Sequence, residues 1–229
     1  MCRLMYVNRP CKETWLRHCW DTLEKSQGGQ GNGIGYFNPD LTIRKGPHMK
    51  VSDLAAIADG KRGVLFHTRV ATSGGISEDV THPFDCGNTI MAHNGHWMGK
   101  KEARWSLLGK ESTSDLIEAS DSVVISMLIK HYGEDVLDLV DSGVFITLNE
   151  RGAILWFYGG TFVVWRNAHG WNYASELVGG NYLEVLSPSI NCVIFLGKEP
   201  EVLRGSLNKV DPTKPVVHTI FNKSLYDDD

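Results

Sequence analysis

Val144-Phe145-Ile146-Thr147-Leu148, Ile154-Leu155-Trp156-Phe157-Tyr158, Phe162-Val163-Val164-Trp165-Arg166 and Trp171-Asn172-Tyr173-Ala174 follow one another with only a few residues between them. Such runs of β-branched and aromatic residues fit a pleated surface, and the hairpin-length gaps imply antiparallel pairing. Cys192 to Leu196 and Val216 to Ile220 read the same way. Before them the period is helical. Ser120 and Asp121 open a segment in which Val123, Val124, Met127, Leu128 and Tyr132 form one apolar stripe, and the acidic start suits the positive end of the helix dipole. Further toward the N-terminus come a strand over Thr89 to His93, a strand over Val64 to Arg69, a short helix near Asp53 to Asp59, and a hairpin of Gly33 to Asn38 with Leu41 to Lys45 around Pro39-Asp40. A helix carrying Trp15, Leu16, Cys19, Trp20 and Leu23 stops at Gly28-Gly29, and a strand covers Cys2 to Val7. Strands at both ends with helices between them predict an α+β fold of two sheets covered by helices, not a regular βαβ alternation.

The 229 residues are 42% hydrophobic and 22% charged, enough for one domain with a sizeable core. No repeat and no Gly/Pro-rich linker divides them, so a single domain over 1–229 is expected. A net charge of -4 offers no surplus for nucleic acid or an anionic membrane. No apolar run approaches the roughly 20 residues that cross a bilayer, and Met1 to Val7 lacks the layout of a signal peptide, so a cytoplasmic protein is expected. The five cysteines (2, 11, 19, 86 and 192) form an odd set without C-x-x-C, which argues against a disulfide framework or a zinc knuckle.

Three clusters carry chemistry. Removal of Met1 would leave Cys2 with a thiol and a free α-amine. An amine titrating near about 7.7 to 8.0 can accept the proton of a thiol titrating near about 8.5. Taken singly, Cys2 reads equally as a small apolar residue at a strand start. In Phe66-His67-Thr68-Arg69-Val70-Ala71-Thr72, Arg69 offers a planar fork for a carboxylate, with Thr72 and loop amides in support; alone it reads as a structural ion-pair residue. In His93-Asn94-Gly95-His96, the Asn94 side-chain amide and the Gly95 N–H make two donors for one oxygen, although an ordinary Asn-Gly turn has the same sequence. His93 and His96 lack a third ligand pattern, so neither a metal nor another cofactor is expected. Asp121 could hold an ammonium group or simply favour its helix start.

Taken together and in this order, the clusters resemble the class II glutamine amidotransferase domain, of the N-terminal-nucleophile (Ntn) hydrolases. The resemblance rests on Met1-Cys2, Gly31-Asn32-Gly33-Ile34-Gly35, His67 to Thr72, His82-Pro83-Phe84, His93-Asn94-Gly95 and Ser120-Asp121-Ser122, with a weaker echo at Tyr173-Ala174-Ser175-Glu176. It implies a four-layer αββα sandwich of two mainly antiparallel sheets. It also implies Cys2 as nucleophile, Asn94 and Gly95 as oxyanion donors, Arg69 and Thr72 on the substrate α-carboxylate, and Asp121 on its α-ammonium. Glutamine would pass through a γ-glutamyl thioester to glutamate and ammonia, the ammonia going to a separate synthetase subunit. Many members carry Trp after the arginine and His after the threonine, where this chain has Val70 and Ser73. The residues after Tyr132 are needed to finish the two sheets, so no fused synthase domain is expected within the 229 residues.

Two alternatives stand beside a stand-alone glutaminase. One hydrolyses a γ-glutamyl amide conjugate, favoured by the roomier Val70. The other is an inactive regulatory or scaffolding domain. A bile salt or penicillin amidase of the same fold fits the Arg69 and Asn94-Gly95 patterns less well.

Overall fold

A computed structural model describes residues 2–71, 75–112, 116, 119–211 and 213. Strand β1 (Arg3–Val7) is followed by helix α1 (Glu13–Gln27), the hairpin β2 (Asn32–Phe37) and β3 (Leu41–Gly46), helix α2 (Val51–Ala58) and β4 (Val64–Thr68). Next come β5 (Phe84–Asp85), β6 (Ile90–Asn94), α3 (Lys100–Leu107), α4 (Asp121–Tyr132) and a 3-10 turn at Glu134–Leu139. The rest is β7 (Val144–Asn149), β8 (Gly152–Phe157), β9 (Val163–Asn167), β10 (Gly170–Ala174), β11 (Glu184–Pro188), β12 (Cys192–Leu196), β13 (Pro200–Arg204) and β14 (Leu207–Lys209).

The strands form an eight-stranded sheet in the order β14-β11-β9-β10-β1-β4-β2-β3 and a six-stranded sheet in the order β13-β12-β8-β7-β6-β5. Every pairing is antiparallel. Because alternate side chains of a strand face opposite ways, each sheet contributes to two cores. Leu4, Tyr6 and Leu65 of the larger sheet meet Ile90, Ala92, Val144, Ile146 and Leu155 of the smaller one between the sheets. Met5, Phe66 and Trp165 point the other way, onto Leu16, Trp20 and Leu23 of α1 and Leu54 of α2. Met91, Phe145 and Trp156 do the same for the smaller sheet, onto Val124, Ile125 and Ile129 of α4. The result is the helix–sheet–sheet–helix layering expected above.

Several boundaries move by a residue or two: β1 begins at Arg3, so Cys2 precedes the strand, β4 ends at Thr68, and β6 runs one residue further, to Asn94. The short elements β5, α3, β11, β13 and β14 are additional to the sequence reading. The strand expected at Val216 to Ile220 lies outside the described residues. No described helix is long and apolar enough to cross a membrane.

Candidate active site

Strand direction and parity place the candidate residues together. β1 starts where its antiparallel neighbour β4 ends, with Arg3 opposite Thr68. In the second sheet β6 ends at Asn94, opposite the start of β7 at Val144. The chain leaves β10 at Ser175, whose N–H donates to the Leu4 carbonyl at 3.0 Å. Leu4, Leu65, Ala92 and Tyr173 all face the layer between the sheets. By alternation Cys2, His67 with Arg69, Asn94 and Ser175 follow them inward, at one edge of the sandwich.

The Cys2 thiol is half-buried against the peptide of Val70, with the Val70 N–H donating to Sγ at 3.4 Å and Sγ lying 3.6 Å from the Val70 carbonyl oxygen. Burial pushes this thiol up, and the Val70 N–H, the terminal ammonium and the Arg69 guanidinium pull partly against it. Arg69 is 5% exposed and spends one donor, Nη1, on the Gly75 carbonyl at 2.6 Å. Its backbone is fixed on both sides, donating to Gly31 at 2.8 Å and accepting from Gln30 at 3.0 Å, while the Gln30 side chain accepts from the Ala71 N–H at 2.7 Å. Residue 72, the expected helper of Arg69, lies outside the described residues.

Asn94 is 6% exposed, and its Nδ2 donates to Ser175 Oγ at 2.8 Å. Gly95 has φ +141, and a Cβ there would stand 2.8 Å from Gly143 Cα, so both conformation and space demand glycine. Asp121 anchors the loop that follows, accepting from the Trp97 N–H at 2.8 Å through Oδ2 and from the Ser122 N–H at 2.9 Å through Oδ1. His96 Nδ1 lies 3.5 Å from the same Oδ2. The helix start, with Ser120 Oγ accepting from Val123 N–H at 3.3 Å, is the cap expected from sequence.

Sequence reasoning gave no role to what lies beneath. His67, His82 and His93 are buried together: the His67 and His82 rings sit 4.1 Å apart, and His67 Nε2 is 3.2 Å from the His93 carbonyl oxygen. His93 stacks on Phe145 at 4.3 Å and meets Ser122 Oγ through Nδ1 at 2.9 Å. Burial pushes His67 down to about 3 and His93 to about 4, and holds His82 well below the ordinary imidazole range, so all three are neutral at pH 7. Among the described residues no three His, Cys, Asp or Glu side chains converge to hold a metal.

Two clefts lie away from Cys2. One, of about 570 Å³, opens at the opposite edge between the hairpin turns at Pro39-Asp40, Asn88-Thr89 and Glu150-Arg151. The other, of about 400 Å³, lies between α1 and the start of α2, lined by Arg17, Asp21, Glu24, Asn32, His48 and Lys50.

Among solved structures, the glutamine phosphoribosylpyrophosphate amidotransferase of B. subtilis matches 91% of this chain at TM-score 0.69 and 19% identity. The chain shares the fold of the part of that enzyme it matches. An allosteric regulatory enzyme of purine biosynthesis matches equally well, at TM-score 0.69 and 20% identity over 91% of this chain. In each case the chain spans only half of the matched structure, 50%. A glutamine aminotransferase class-II domain protein from Silicibacter pomeroyi matches over 93% of this chain and 99% of its own length, at TM-score 0.53 and 15% identity. No family model and no curated protein matches the chain.

Proposed function

We propose that the chain is an N-terminal-cysteine amidase acting on the side-chain amide of glutamine. The observation that carries the reading is that Cys2, Arg69 and Asn94 share one edge of the inter-sheet layer, with the Arg69 guanidinium near enough to act on the Cys2 thiol and Asn94 tied through Ser175 to Leu4 of β1, the strand that follows Cys2. Met1 is removed, and the new α-amine takes the thiol proton, which burial otherwise holds in place. Cys2 Sγ bonds to the amide carbon, and the carbonyl oxygen becomes an oxyanion facing Asn94 Nδ2 and the Gly95 N–H. Each such donor is worth about 3 kcal/mol in comparable sites. The C–N bond then breaks and the nitrogen leaves as ammonia with the proton from the amine. Water attacks the γ-glutamyl thioester, the C–S bond breaks, and glutamate departs from a regenerated thiol. Arg69 grips the α-carboxylate, helped by Thr72, and Asp121 holds the α-ammonium through lone pairs its backbone donors leave unused.

The ammonia passes to a separate acceptor enzyme. A γ-glutamyl amide conjugate is the second substrate reading, favoured by the small side chain of Val70, whose peptide lies against the Cys2 thiol. Intact mass, joined to ammonia release from glutamine and amine release from γ-glutamyl amides, tests both. Active protein should have lost Met1. Activity in protein that keeps it would remove the base.

A further inference from the structure

We propose that Ser175 is a positioning residue that fixes the Asn94 carboxamide as an oxyanion donor and ties it to the strand carrying the nucleophile. The inference rests on the amidase reading and adds a residue for which that reading has no role.

Ser175 sits just after β10 and is 2% exposed. Its Oγ accepts from the Leu4 N–H at 3.0 Å and from Asn94 Nδ2 at 2.8 Å, and lies 3.4 Å from the Leu4 carbonyl oxygen. A hydroxyl has two lone pairs and one hydrogen. The two N–H donors occupy both lone pairs, which leaves the hydrogen for the Leu4 carbonyl, and every capacity of the group is used. That saturation sets which way round the Asn94 amide lies. With one lone pair on the Leu4 N–H and the hydrogen directed at the Leu4 carbonyl, Oγ has one lone pair left, which suits the Nδ2 end of Asn94, and no hydrogen to offer Oδ1. One hydrogen of Nδ2 is thereby held on Ser175, and the second is left to point at a developing oxyanion.

The same hydroxyl spans the two sheets. Leu4 lies two residues from Cys2 in the eight-stranded sheet, and Asn94 ends β6 in the six-stranded one. Asn94 Oδ1 is buried and makes no close hydrogen bond among the described residues, with the His67 imidazole as a polar neighbour of the carboxamide, so the 2.8 Å contact to Ser175 is the short bond that holds its Nδ2 end. An oxyanion donor works only when its direction is fixed before the charge develops, and a loosely held amide has to reorient during the reaction.

The test compares wild type, Ser175→Ala, Asn94→Ala and the double variant, with Ser175→Cys keeping the side-chain volume but offering only a weak acceptor. Two reactions are followed: amide hydrolysis, which passes through an oxyanion, and alkylation of Cys2 by iodoacetamide, a displacement at carbon that expels iodide and forms none. Ser175→Ala should lower kcat by about tenfold or more, less than the loss from deleting a donor outright, with KM within about threefold. Iodoacetamide should alkylate Cys2 within about twofold of the wild-type rate. In the Asn94→Ala background, removing the hydroxyl should cost nothing further. Should the alanine variant fail to fold, Ser175→Cys carries the same comparison and should show the same split. Parallel loss of alkylation and hydrolysis, or full additivity with Asn94→Ala, would overturn the proposal and make Ser175 a support of β1 alone. A wild type that keeps a reactive Cys2 but hydrolyses none of the amides overturns the amidase reading itself, and the role of Ser175 with it.

Discussion

Asp121 shows how a single side chain can serve two purposes whose tests differ. Its two oxygens accept the Trp97 and Ser122 N–H groups, so it fixes the loop after Asn94-Gly95 in addition to the ammonium-holding role proposed for it. In Asp121→Asn one of those oxygens becomes an NH₂ that meets an N–H head on, a buried mismatch costing about 1 to 3 kcal/mol. The variant should therefore melt at a lower temperature in addition to binding substrate less well, and the binding defect should shrink for a substrate without the α-amine. Arg69→Lys differs: an ammonium cannot reproduce the fork, and its defect should shrink for a substrate lacking the α-carboxylate. Equal losses with and without the carboxylate would make Arg69 a support of the Gly75 loop only. Asn94→Ala should reduce kcat far more than it raises KM. For Cys2, burial raises the thiol and the Arg69 charge lowers it. The midpoint of alkylation by iodoacetamide should lie above pH about 8.5, the midpoint of an unperturbed thiol, and Arg69→Ala should move it further upward. A midpoint below that pH would contradict the environment described for Sγ.

At the scale of elements, the legible parts were those whose periodicity survives burial on one face. The strands from Val144 to Ala174 alternate between the two cores, and α1 and α4 turn one apolar stripe onto a sheet. What escaped was short, exposed or led by proline. β13 opens on Pro200 and runs exposed along an edge, β14 has three residues, and β11 ends in Ser187-Pro188, which reads as a turn. α3 is eight residues long, with Trp105 72% exposed, so no apolar stripe announces it. In the site, Cys2, Arg69 and Asn94 could be picked out because their chemistry is conspicuous. Ser175 could not be given a role, because its importance comes from a neighbour 81 residues away. The glycine-bearing strand β2 is explained by packing: a Cβ on Gly33 would fall 2.2 Å from the His82 carbonyl oxygen, so glycine lets the His82-Pro83 segment close over the inner face. Gly33→Ala must push that backbone away and should cost about 1 to 3 kcal/mol, read as a fall in the denaturation midpoint. Trp20 stacks on Phe66 at 4.5 Å with the rings 5° from parallel, where α1 meets β4. Trp20→Ala should cost about 3 to 5 kcal/mol, and a loss below 1 would show that the helix is not held there.

For the whole molecule, the sandwich closes over three neutral histidines, and that choice has a pH signature. His67 and His82, from β4 and the segment before β5, lie with their rings together, while His93 of β6 turns its ring the other way, onto Phe145 of β7 and Ser122 of α4, and offers only its carbonyl to His67. In the unfolded chain each binds a proton below about pH 6.5, whereas the folded chain keeps His67 neutral down to about 3 and His93 to about 4. Between those limits the unfolded state holds more protons, so stability is complete above about pH 6.5 and falls as the pH drops through the window. Each histidine costs about 1.4 kcal/mol per pH unit there, and three together roughly 4. His82 isolates the effect. Burial is the largest cause of its depression, the Lys45 and Arg69 charges add to it, and neither ring nitrogen has a hydrogen-bond partner among the described residues. It packs edge-on against Phe84 at 4.5 Å, so a phenyl ring suits its surroundings. His82→Phe should therefore change stability little at pH 7.5, raise it at pH 5, and reduce the proton uptake on unfolding near pH 5 by one. Denaturant titrations of both proteins across pH 7.5 to 5 measure this directly. Parallel pH profiles for the two proteins would mean that His82 is already charged in the folded chain, and that the layer between the sheets is open to water at this point.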